Sequence, residues 1–102
     1  MQNTKSKKVA SLVYKTFELE EMTIKDESLF LENLHQYLSK QIAYMLDREF
    51  EKLMQIFYRM DLNEVQVRKI IFGDSSPNVA QELATLVIKR QIQKVETWEK
   101  YS

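Results

Sequence analysis

Cysteine is absent from this chain, and glycine and proline occur once each, as Gly73 and Pro77. Without cysteine there is no disulfide framework and no thiol nucleophile. Nothing argues for an oxidising compartment, so a cytoplasmic location is expected. No glycine-rich loop exists to cradle a phosphate. One histidine, His35, stands in no evident Ser–His–Asp arrangement. An excess of either charge is missing too: fifteen basic residues balance fifteen acidic ones, so no global field draws the protein to nucleic acid or to an anionic surface. No apolar run approaches the roughly 20 residues that a membrane-spanning helix needs. Val9–Tyr14 is too short and too interrupted for the core of a signal peptide. Neither a cofactor nor catalysis is expected.

What is there is helical. The 102 residues are 44% hydrophobic, with five Phe, five Tyr and one Trp, which is too rich for a disordered chain. Abundant Leu, Lys, Glu, Gln and Met with so little Gly and Pro predicts an all-α protein. We expect one helical domain over 1–102 with 1–8 as a tail. Its expected architecture is a small bundle of one long helix, straight or bent, a short helix and a long C-terminal helix. A domain this small buries only part of its apolar surface alone, which leaves room for a second subunit.

Val9 to Met22 fits either a helix or a strand. Helix is preferred, because no other segment offers a partner strand. Asp26 is placed to N-cap a helix from Glu27 that persists to Met60, an element of roughly 50 Å at 1.5 Å per residue. Leu31, Leu34, Leu38, Ile42 and Met45 form one line along it. Leu46, Phe50, Leu53, Phe57 and Met60 form another, turned by about 100°. Either the helix bends near Ala43–Asp47 or its halves meet different partners, and the second is preferred. That preference leads to a homodimer burying one stripe, unless Val9–Met22 folds back over the first.

Asp61-Leu62-Asn63-Glu64 has capping-box form and predicts a short helix over Leu62–Phe72. Gly73 is then expected as a left-handed C′ residue. Ser76 and Pro77 read as N-cap and N1 of a last helix running to about Lys100. On that helix Val79, Leu83, Leu86, Val87, Val95, Trp98 and Tyr101 share a face, and Arg90 and Lys94 fall inside it. Snorkelling is the ordinary account of such embedded cations. The sharper one pairs Arg90 with Asp47, Glu51 or Asp61, while Lys94 snorkels.

Other patterns carry less. Glu32-Asn33-Leu34-His35 has the Glu-x-x-His spacing of di-iron bundles, yet one histidine cannot supply the two motifs required. Both residues are expected on a solvated edge. Tyr37, Tyr44, Met45, Met54, Phe57, Tyr58 and Met60 read as core or subunit contact. The short helix, turn and last helix invite a helix-turn-helix reading, with Asn78 and Gln81 facing bases. The first turn has no Arg or Lys, and Glu82 would repel phosphate, so nucleic acid is not favoured.

The run Asp47-Arg48-Glu49-Phe50-Glu51-Lys52-Leu53-Met54-Gln55-Ile56-Phe57-Tyr58-Arg59-Met60-Asp61-Leu62-Asn63-Glu64 resembles a segment of an uncharacterised group of short bacterial proteins. Ala80-Gln81-Glu82-Leu83-Ala84 and Ile88-Lys89-Arg90-Gln91-Ile92-Gln93-Lys94-Val95 resemble the tail of the same group. The resemblance implies a bacterial, cytoplasmic, all-helical protein, attaches no activity, cofactor or partner, and makes Arg59, Asp61, Arg90 and Lys94 the set to test together. The leading functional expectation is a non-enzymatic helical interaction or oligomerisation module. A nucleic-acid-binding regulator comes second and a metal- or small-molecule-binding bundle third.

Overall fold

Two apolar stripes on one helical run can reach a single core only if the run breaks between them, and it does. The computed structural model describes residues 2–20, 30–73 and 77–101. The described residues form five helices and no strand: α1 (Gln2–Phe17), α2 (Phe30–Arg48), α3 (Phe50–Arg59), α4 (Glu64–Phe72) and α5 (Val79–Tyr101). Glu49 alone separates α2 from α3, with φ −140° and ψ 50°. Its amide still donates to the Met45 carbonyl (2.8 Å), and its carbonyl accepts from the Leu53 amide (3.0 Å). The kink therefore needs neither proline nor glycine. It turns Leu34, Leu38, Ile42 and Met45 of α2 and Leu53, Ile56, Phe57 and Met60 of α3 into one buried cluster.

This corrects the expectation that the two stripes serve different partners, and it moves the bend from Ala43–Asp47 to Glu49. Helix α1 removes the other premise of a stripe-burying dimer. It packs on α5 and on α2, and buries Val9, Ala10, Val13 and Phe17 at helical spacing. It also takes in residues read from sequence as a tail. Lys5 reaches Glu96 (2.6 Å) and Lys8 reaches Glu99 (3.6 Å). Such exposed pairs are each worth at most about 1 kcal/mol. The Asp26 cap and the start at Glu27 lie outside the described residues, as do Ser76 and the Met22 end of the first helix.

The central stave is α5, which packs against α1, α2 and α4. It buries Leu83, Ala84, Val87, Ile88, Gln91 and Val95. The buried face is centred nearer Gln91 than the sequence pattern indicates. Val79 and Leu86 are only half-buried, and Trp98 is 55% exposed. Helix α5 begins at Val79, two residues after Pro77, and the Glu82 amide donates to the Asn78 carbonyl (2.9 Å).

Chain reversals fall where sequence cues point elsewhere. Asn63, not Asp61, caps α4, its side chain accepting from the Gln66 amide at 3.1 Å. Asp61 instead closes α3 in the left-handed region, φ 59°. The Leu62 amide donates to the Phe57 carbonyl (3.2 Å) and the Asp61 amide to the Tyr58 carbonyl (3.1 Å), the paired bonds of a Schellman ending. Glu18, φ 55°, ends α1 in the same way, with the Leu19 amide on the Tyr14 carbonyl (2.8 Å). Gly73 is not left-handed: its φ is −81° and ψ −159°. It is needed for space, because a β-carbon there would lie 2.2 Å from the Lys69 carbonyl oxygen.

Two substitutions separate these roles. Gly73→Ala is expected to lower stability by about 1–3 kcal/mol, since a backbone oxygen must move to admit one methyl group. Asp61→Gly is expected to raise it by about 0.5 kcal/mol, as relief of the left-handed penalty exceeds the added freedom of the unfolded chain. Urea melts of both variants read the two signs directly.

Candidate functional site: the α3–α4 groove and its corner

Three of the four residues singled out by sequence, Arg59, Asp61 and Arg90, gather around Met60. Arg59 is the last residue of α3, and Asp61 follows it in the left-handed turn. Arg90, on α5, donates from Nε to the Met60 carbonyl at 3.3 Å. That carbonyl belongs to the C-cap of α3, where the helix has no further amide to satisfy it and where positive charge is favoured. The expected Arg90–carboxylate pair is thus replaced. Among the described residues Arg90 pairs with none of Asp47, Glu51 and Asp61, and Asp47 instead holds Arg48 (3.0 Å). Lys94 is half-buried and makes no ion pair with a described residue, as a snorkelling lysine would. Arg59 and Asp61 are exposed.

Beside this corner the surface opens into a groove of about 690 Å³ between α3 and α4. Helix α3 and the turn after it contribute Phe50, Met54, Phe57, Tyr58 and Asp61. Helix α4, with the turn before it, contributes Leu62, Glu64, Val67, Arg68, Ile71 and Phe72. The spacings are helical, so each wall is one face of an amphipathic helix. The helices diverge because they barely touch each other, α4 being held mainly against α5. Phe57 and Val67 form a buried floor. Tyr58 is 85% and Phe72 73% exposed, so two large rings project from opposite walls. An Arg68–Glu64 pair (2.7 Å) decorates the α4 wall.

Tyr58 and Phe57 were legible as pointing apart, but the α4 wall was not. Ile71 and Phe72 look like the tail of a short core helix until Val67 is seen to be its single buried residue.

A second, smaller cleft of about 270 Å³ lies between α2 and the start of α5. His35 sits in it half-buried, its Nε2 2.9 Å from the Gln81 carbonyl oxygen and 3.0 Å from Thr85 Oγ1. Thr85 itself donates to the Gln81 carbonyl (3.0 Å), so an Nε2–H shared between the two oxygens satisfies the geometry. His35 is therefore a tie between α2 and α5, not a solvated edge residue. Glu32 is exposed. Among the described residues no group of three or more His, Cys, Asp or Glu side chains is placed to hold a metal ion. None of the described helices is long and apolar enough to cross a membrane.

The Arg90 contact makes a testable distinction. Arg90→Met is expected to cost about 1 kcal/mol through the lost charge-assisted bond to Met60. Its coupling to Asp47→Asn, Glu51→Gln and Asp61→Asn in double-mutant cycles should stay below about 0.5 kcal/mol.

No protein-family model matches the chain, and no curated protein or solved structure is significantly similar to it. The resemblance to short bacterial proteins rests on the residues quoted above and on nothing further.

Proposed function

We propose that this chain is a non-enzymatic, cytoplasmic interaction module that holds an apolar segment of a protein partner in the α3–α4 groove. One observation carries the reading: Tyr58 and Phe72, two large rings from opposite walls, stand exposed over a groove floored by buried apolar side chains. A groove made of two amphipathic helix faces suits a third helix laid into it, with anchors three or four residues apart. Tyr at such a surface supplies contact area at low entropic cost. The nucleic-acid reading has less behind it, because the opening turns of α5 lie against α2 through His35. The cysteine-free sequence supports the cytoplasmic placement.

The test is site-specific photocrosslinking in the cells that make the protein. A photoreactive phenylalanine analogue replaces Tyr58 or Phe72, and in a control it replaces Lys89, exposed on α5. Discrete protein adducts are expected from both groove positions and not from the control. Equal or absent adducts at all three positions would sink the proposal.

A further inference from the structure

Resting on the groove reading, we infer that the segment held in the groove is a basic amphipathic helix, its apolar face laid on Phe50, Met54 and Phe72 and its cations set against Glu51 and Asp61. The charges of the two walls carry this. On the α4 wall Glu64 and Arg68 hold each other at 2.7 Å and cancel. On the α3 wall Asp61 lines the groove and is exposed. Glu51 stands on the rim of the same wall. At about 100° per residue it lies roughly 60° round the helix from Met54, on the side of Tyr58. Glu51 is exposed too, and neither carboxylate forms an ion pair with a described residue.

The nearby cations are turned elsewhere. Lys52 lies about 160° round α3 from Met54 and reaches Glu18 of α1 at 3.6 Å. Arg59 lies about 140° round on the same count. Arg90 is bound to the Met60 carbonyl, and Lys69 is outside the lining. The groove therefore presents apolar side chains bordered by two carboxylates with no cation of their own among the described residues. A neutral helix would leave both unanswered, and an acidic one would be repelled by them. A second copy docked groove to groove would add the same two carboxylates again. Glu51 and Asp61 are separated by about 15 Å along α3 at 1.5 Å per residue. Two lysines or arginines about three helical turns apart on one edge of a docked helix match that spacing. Charges at such a rim act on the choice of partner more than on raw affinity.

Fluorescence anisotropy with the purified full chain tests the inference on two synthetic helical peptides of about 14 residues, roughly 21 Å long. Both carry the same face of leucine and phenylalanine. One is edged with lysine and the other with glutamate. The lysine peptide is expected to bind at least tenfold more tightly, and its advantage should shrink as salt rises from about 0.05 M to about 0.5 M. Glu51→Gln combined with Asp61→Asn should cut the advantage at least fivefold, whereas Glu32→Gln, exposed on α2, should leave it unchanged. Asparagine tolerates the left-handed backbone at position 61, so that variant should fold. Tyr58→Ser and Phe72→Ser should weaken both peptides. Equal binding of the two peptides, a preference for glutamate, or no binding of the lysine peptide overturns the inference. So does a lysine preference that ignores Glu51 and Asp61. A chain mass near twice 12.2 kDa that returns to monomer in Phe72→Ser would seat a second copy in the groove and overturn it too. If the photoreactive groove positions trap a protein while the two peptides bind alike, the module reading stands and the basic-helix inference falls. If those positions trap nothing above the control and both serine variants bind the lysine peptide like the parent, the module reading falls as well.

Discussion

Everything in this fold follows from the single non-helical residue Glu49. An uninterrupted α-helix from Phe30 to Arg59 would carry its first apolar stripe to the core and leave the second about a quarter-turn away. One non-helical residue reorients the second stripe at the cost of little hydrogen bonding, since the bonds from the Glu49 amide and to its carbonyl survive. The buried cluster that results spans all five helices. With α3 turned inward on Leu53, Ile56, Phe57 and Met60, its adjacent flank, Phe50, Met54 and Tyr58, lines the groove where α4 diverges from it. The groove is the outer side of the same bend that completes the core.

The helical content and the long last helix were legible because composition and 3.6-residue periodicity act over many residues at once. The rotation of the stripe between Met45 and Leu46 admitted a bend, although separate partners for the two halves were preferred. Its place was hidden, because Glu49 is neither glycine nor proline and bends for tertiary reasons. Asp61 misled for a local reason. The same side chain that can open a capping box also tolerates the left-handed region, and the chain uses the second property, leaving Asn63 two residues on to cap α4. Gly73 was rightly singled out, but by the wrong mechanism: it relieves crowding at the Lys69 carbonyl rather than supplying a positive φ.

Polar residues were the least legible part. Gln91 is 2% exposed at the middle of the buried face of α5. Its position between Val87, Ile88 and Val95 was the available signal, and its polarity argued against using it. No buried side-chain nitrogen or oxygen among the described residues lacks a hydrogen-bond partner. His35 and Arg90 both act on main-chain carbonyls of a different helix. A carbonyl is present at every residue, so sequence gives no hint of which one a side chain will find. These contacts fix how the helices sit against α5, and the groove inherits that placement because α4 is carried on α5.

The docking of α1 on α5 has a temporal side. Lys5 and Glu96 are 91 positions apart in sequence, and α1 packs more extensively on the last helix than on α2. A ribosome delivers α1 well before its cover α5. Until α5 emerges, the apolar face of α1 has only α2 to shelter against, and an emerging chain with such a face open is prone to stick to others. The amphipathic run from Phe30 to Arg59 is local by comparison and collapses early. Closure of the bundle therefore waits for α5, and of the five helices the one made first is the one whose docking is completed last.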